Sequence, residues 1–126
     1  MSSYVCFLVK EQEKNSKRAI VINCFGRSSH IYEIVSKVCG YCEEEKEFTN
    51  KYFLECLSAL DNKISENLRT ISIYEDCMKN SKDDDVIFDY AKMKQELLEE
   101  IERLHDVQNW LKFYFELDCK KYICFD

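Results

Sequence analysis

From Tyr41 to Asp126 the chain runs for 86 residues without a glycine or a proline, and this limits its fold more than any other feature. A segment with no proline to break it and no glycine to turn on favours long helices. Apolar residues recur there at alternating steps of three and four, in two stretches. Leu57, Leu60, Ile64, Ile71, Tyr74 and Met78 mark the first, and Leu97, Ile101, Leu104, Leu111 and Phe115 the second. Each set falls on one stripe of a helix, the spacing of a coiled-coil seam. The polar run Lys79–Asp85 between them suits a tight reversal. The spacing therefore predicts a long antiparallel helical hairpin over 43–118.

Within that arm, Glu43, Glu44, Glu45 and Glu47 are expected in the first turns of the first helix, where the positive end of the dipole favours anions. That helix should reach about Met78, weakened or bent at Thr70–Ile73, where β-branched residues cluster. Asp83 to Asp85 should cap a second helix from Val86 to Asp118. Asn67, Lys94 and Gln108 fall at seam positions, where polar residues either fix register or mark where the seam is exposed.

The N-terminal part reads differently. Tyr4–Val9 and Ala19–Phe25 are rich in β-branched and aromatic residues and predict two strands, joined by a solvated loop over Glu11–Lys17. Both are apolar at nearly every position, so each should be covered on both faces. A lone hairpin is marginal, which predicts that Tyr122–Phe125 joins it as a third strand. Ser28 or Ser29 should cap a short helix from His30 to Val38, with Ile31, Ile34, Val35 and Val38 on its apolar face and Gly40 as its stop. The fold class is thus α+β: a small antiparallel β-sheet, made of the N-terminal hairpin and the C-terminal strand, with a short helix and a long helical hairpin. All 126 residues form one domain, with 1–42 as β-hairpin and short helix, 43–118 as the arm and 119–126 as the C-terminal strand.

Composition and charge restrict function. The chain is 46% apolar and 33% charged, a globular balance. Its start lacks the basic and apolar regions of a signal peptide, and no run is long enough to span a membrane, so a soluble, cytoplasmic protein is expected. The net charge of −6 divides into +3 for residues 1–42 and −9 for the rest. Duplex nucleic acid should not lie along an acidic arm, whereas a basic surface on another protein could. The same charges also serve simply to solvate two helices. With no export signal, the eight cysteines are expected as free thiols, Cys56 and Cys77 filling space beside the seam.

Two short constellations could carry chemistry. Gly26, Arg27, Ser28, Ser29 and His30 stand at a strand-to-helix junction, where backbone N–H groups, hydroxyls and a guanidinium suit an anion such as a nucleotide phosphate. This sequence lacks the glycine pattern and lysine of a phosphate-binding loop, and a serine after glycine is also ordinary helix-start chemistry. Cys39 and Cys42 form a C-x-x-C, half of a zinc site or a redox pair, with Cys24 and His30 as conceivable further ligands. A second ligand pair is missing, and the motif ends a helix rather than starting one, so no metal or other cofactor is assigned. Cys119 and Cys124 are expected in the core. Only His30 and His105 are present, and no acidic pair stands out from solvated helix charges, so no enzyme activity is expected.

A helix of this length cannot pack wholly on so small a sheet. Apolar residues off the seam (Met93, Leu98, Val107 and Tyr114, with Trp110 and Phe113) therefore point to a homodimer or higher homo-oligomer. Phe115 and Phe125 are assigned to the core, Trp110 and Tyr114 to an interface. The reading is a non-catalytic interaction module or inhibitor. Its arm would use Asp83, Asp84, Asp85, Glu99, Glu100, Trp110 and Tyr114 to cover a basic, nucleic-acid-binding surface of a partner protein. Small acidic proteins of viruses and mobile elements act against host defence in this way, which is an analogy of type only. The alternative is a nucleotide-binding or sequestering protein that uses Gly26–His30.

Overall fold

The computed structural model describes residues 3–10 and 19–126, so the expected loop at Glu11–Lys17 lies outside the described residues. Strands β1 (Tyr4–Lys10) and β2 (Ala19–Gly26) are followed by α1 (His30–Ile34), which widens into a π-helical turn over Val35–Gly40. A two-residue strand β3 (Lys46–Glu47), the long helices α2 (Asn50–Asn80) and α3 (Asp84–Phe115), and strand β4 (Lys120–Phe125) complete the order. The sheet is antiparallel throughout, in the order β2-β1-β4-β3. The α+β class, the recruitment of the C-terminal strand and the helical hairpin all follow the sequence pattern.

Ser29 caps α1 by accepting the Ile31 N–H at 3.2 Å. Gly40 ends the π turn at φ 102°, a left-handed backbone that side chains rarely adopt, and so releases the chain toward β3. The acidic run does not start α2. Lys46 and Glu47 pair with Ile123 and Tyr122 of β4, Glu45 is ion-paired with Lys10, and Phe48 is buried. The helix begins only after Thr49, whose hydroxyl accepts the Tyr52 N–H at 3.1 Å. A favourable dipole contact is worth less here than a buried phenylalanine and a strand pairing. Thr70–Ile73 does not interrupt α2, and the Thr70 hydroxyl donates to the Glu66 carbonyl one turn back.

The core lies between one face of the sheet and the base of the hairpin. Val5, Phe7 and Val9 of β1 and Ile123 and Phe125 of β4 meet Leu104, Val107, Leu111 and Tyr114 of α3, with Tyr52, Phe53, Cys56, Leu60 and Ile64 of α2 beside them. β1 is covered as expected because it sits between two strands. β2 is not: residues 19–24 are exposed, with Val21 at 54%. As the outer strand it reaches beyond the helices, so its apolar composition does not translate into burial.

Candidate binding surface on the helical arm

The hairpin changes character along its length. Near the sheet, α3 buries Leu104, Val107, Gln108, Leu111 and Tyr114, while α2 buries residues from Tyr52 to Ile71. Between residues 72 and 103 no side chain is fully buried. At ~1.5 Å per residue, 32 residues of α3 give a helix of about 48 Å, and its first two thirds leave the core behind. Glu100 and Arg103 still line a cleft with α1, and nearer the tip the contacts join the two helices. Tyr74 meets Tyr90 with ring centroids 5.5 Å apart, and Lys94 lies 3.8 Å from Glu75.

This outer half keeps apolar side chains in water. Phe88 is 69% exposed and Ile73 60%, with Val86, Met93 and Leu98 also exposed. Met93 and Leu98 are where the off-seam argument put them, whereas Ile73 and Phe88 did not stand out from the seam spacing. They are recognisable as apolar residues one or two positions to the side of it. Over residues 72–103 ten Asp and Glu face five Lys and Arg, so the apolar points sit in an acidic field.

The residues named from sequence do not form one patch. Asp83 caps α3, its Oδ1 accepting the Asp85 N–H at 3.0 Å, and Asp84 and Asp85 are exposed at the tip. Glu99 is exposed about 24 Å further along α3. Glu100 is half-buried and turned toward α1. Tyr114 is a core residue, not an interface anchor: it is 0% exposed, and its hydroxyl lies between β1 and β4. That hydroxyl accepts the Tyr122 N–H at 2.9 Å and stands within hydrogen-bonding reach of the Leu8 and Tyr122 carbonyls. Burial, partly offset by backbone hydrogen bonds with Tyr122 and Leu8, holds its ionisation well above the usual 10. Trp110 is half-buried edge-on against Phe7 and Phe25, with centroids 5.3 and 5.2 Å away. Val107 is likewise core, while Phe113 is exposed. Phe125 is core as assigned, and Phe115 stacks on Phe53 at 4.2 Å, half-buried.

The strand-to-helix junction has already used much of its anion-binding equipment. The Ser29 hydroxyl caps α1, the Ser29 N–H donates to the Gly26 carbonyl and the Arg27 N–H to that of Ser3. A cleft of about 520 Å³ opens beside it, lined by Ser28, His30, Glu33, Ile34, Glu100 and Arg103. His30 Nε2 stands 3.5 Å from Asp106 Oδ2. A phosphate entering this cleft would meet Glu33 and Glu100 as well as Arg103, and the Arg27 side chain is not among the lining groups.

Three of the thiols, Cys39, Cys42 and Cys56, lie close together at the base of the arm. Cys39 and the buried Cys56 lie side by side, and their interaction pushes the Cys39 thiol up, with burial adding to the effect, and pulls the Cys56 thiol down. Cys42 is half-buried nearby, packed against the same core. Cys24 is far from this group, joined by a disulfide to Cys6 across β1 and β2, so the expectation of free thiols fails at this pair. Directly opposed positions on adjacent strands bring the two sulfurs together, a proximity that the sequence spacing did not disclose. Among the described residues no cluster of three or more His, Cys, Asp and Glu side chains is arranged to hold a metal ion. Nor is any helix among them long and apolar enough to cross a membrane. No protein-family model, curated protein or solved structure matches the chain.

Proposed function

We propose that this chain is a non-catalytic binding protein that self-associates through its helical arm and uses the arm's acidic face to cover a basic, nucleic-acid-binding surface of another protein. One observation carries this reading: the outer half of the hairpin has no fully buried side chain and exposes Ile73, Phe88, Met93 and Leu98. Apolar side chains held at intervals along a rigid helix pair are poor solutes and good interface points. The surrounding excess of acid disfavours phosphate backbones and favours a cationic protein surface.

Sedimentation velocity over a dilution series tests the first half of the reading. The wild-type chain should sediment as a dimer or larger species. Ile73→Asp with Phe88→Asp should give a monomer that keeps the wild-type circular dichroism spectrum, because neither residue belongs to the core. A wild-type monomer at every concentration would sink self-association. For the second half, Asp83, Asp84, Asp85 and Glu99 would be changed to Lys and the co-purifying proteins compared with those of the wild type. A partner that tolerates all four reversals is not held by the acidic face.

A further inference from the structure

The face of the sheet turned away from the helices carries a row of three cysteines. Cys6 of β1 is paired with Cys24 of β2 on one side and with Cys124 of β4 on the other. Directly opposed residues of antiparallel strands point to the same face, so all three sulfurs project together. Neighbouring residues of these strands, Val5, Phe7, Ile123 and Phe125, point into the core, which fixes the cysteines on the opposite face. Cys24 is exposed, and Cys6 and Cys124 are half-buried.

The two pairings are not equivalent. Tyr4 and Asp126 exchange backbone hydrogen bonds at 2.9 Å, so two residues further along, the N–H and C=O of Cys6 also face β4. Cys6 and Cys24 therefore form the closer, non-hydrogen-bonded type of pair, with Cα atoms 4.2 Å apart, and they are joined by the disulfide. Cys124 is a free thiol in the hydrogen-bonded pair on the other side. Such pairs have Cα atoms about 5.5 Å apart, within the range a disulfide spans. Burial, then Asp126 and Glu45, push the Cys124 thiol above its ordinary range. The β1–β2 register shifts immediately after Phe7, one residue beyond Cys6. Irregularities of that kind interrupt the ladder and bend the strand.

We propose that Cys24, Cys6 and Cys124 form a thiol–disulfide exchange site, in which the bond to Cys6 passes from Cys24 to Cys124 and leaves an exposed thiol on the edge strand. The Cys124 thiolate attacks Cys6 Sγ, the Cys6–Cys24 bond breaks, and its electron pair leaves on Cys24, which takes up the proton that Cys124 lost. Nothing is oxidised or reduced overall. Attack at sulfur proceeds from the side opposite the leaving group. A row with Cys6 in the middle offers that line of approach. The freed Cys24 is the accessible member of the three, open to a small disulfide of the glutathione type. Its thiolate forms a mixed disulfide there and releases one glutathione thiolate.

The test uses the full chain, equilibrated in glutathione buffers of stepped reduced-to-oxidised ratio, quenched in acid, alkylated and mapped by peptide mass spectrometry. The wild type should yield both Cys6–Cys24 and Cys6–Cys124 linked peptides, with glutathione on Cys24 in the molecules that carry the second linkage. Cys24→Ser should move the bond wholly to Cys6–Cys124. A wild-type chain with no Cys6–Cys124 peptide at any ratio overturns the proposal. So does a Cys24→Ser chain in which Cys6 and Cys124 stay unlinked, and glutathione found on Cys124 in place of Cys24 overturns the assignment of the outer thiol.

Discussion

At its base the helical hairpin is one layer of a core, and toward its tip the same two helices are almost alone. Leu104, Val107, Leu111 and Tyr114 each have α2 on one side and the sheet on another, which is why all four are essentially inaccessible. Tyr74, Ile87, Tyr90 and Leu97 have only the opposing helix, and each stays half-exposed. A two-helix contact buries one stripe of each helix and leaves its flanks wet. The heptad pattern is nearly the same in both halves. What differs is the number of layers, and that difference makes the base a scaffold and the tip a surface.

The sharpest way to break this contrast is a pair of truncations at seam-like positions. Leu111→Ala should cost about 2–5 kcal/mol, because a fully enclosed leucine leaves a cavity that the sheet and α2 cannot close. Ile73→Ala, measured at a dilution where the chain is monomeric, should change stability by less than about 0.5 kcal/mol, since in the single chain its side chain sits in water. Urea denaturation of the two variants measures both. Comparable losses at the two positions would mean that the tip is as much core as the base.

The next effect concerns the hydroxyl that joins the two layers. Tyr114→Phe should cost about 1–3 kcal/mol, because the Tyr122 N–H loses its acceptor inside the sheet. The same group sets an alkaline limit. Its ionisation in the folded chain is raised above the unfolded value of about 10, so its stabilisation is complete below that pH and is lost as pH rises beyond it. Tyr52, also raised mainly by burial, gives a slope of the same sign that survives in the variant. The wild type should therefore lose stability more steeply than Tyr114→Phe above about pH 10, as read by thermal melts in a pH series. Equal slopes would remove Tyr114 from this role.

A smaller effect should appear at the tip, where few tertiary contacts stand behind the helix ends. Asp83→Ala removes the cap of α3 and should cost about 1 kcal/mol. Amide hydrogen exchange should show the loss confined to the tip, with amides near Leu104–Leu111 unchanged. A cap that protected the base as well would mean that the hairpin opens as one unit.

The hairpin was legible in the sequence because a stripe of apolar residues needs no distant information. Its helix starts were not, since Thr49 wins over four glutamates only when Phe48 and β4 are in place. Strand β1 could be recognised as covered, but β2 has the same composition and lies open, because composition does not tell an inner strand from an outer one. The surface candidates suffered in the same way. Met93 and Leu98 were found by being off the seam, and Tyr114 and Val107, found by the same rule, point into the sheet. On α3 the side that faces solvent at the tip becomes the side that faces β1 at the base. Only the position of the sheet shows where that change occurs.

The boundary itself carries the subtlest prediction. Asn67 sits on the seam between Ile64 and Ile71, the last residues of α2 to be buried, and is itself only 4% exposed. Its side-chain nitrogen has no hydrogen-bond partner, unlike Gln108, whose amide donates to Asp61 at 2.6 Å. An unpartnered buried amide weakens a seam, and an apolar residue of similar size removes the penalty. Asn67→Leu should therefore raise stability by about 1 kcal/mol. If the amide also fixes register, as seam asparagines do in paired helices, the gain comes with a loss of uniqueness. The tip would then sample shifted pairings, and the contact of Tyr74 with Tyr90 would broaden or split in aromatic NMR spectra while signals from Leu111 and Tyr114 stayed sharp. A more stable variant with a single sharp set of tip signals would show that the two layers at the base already set the register for the whole arm.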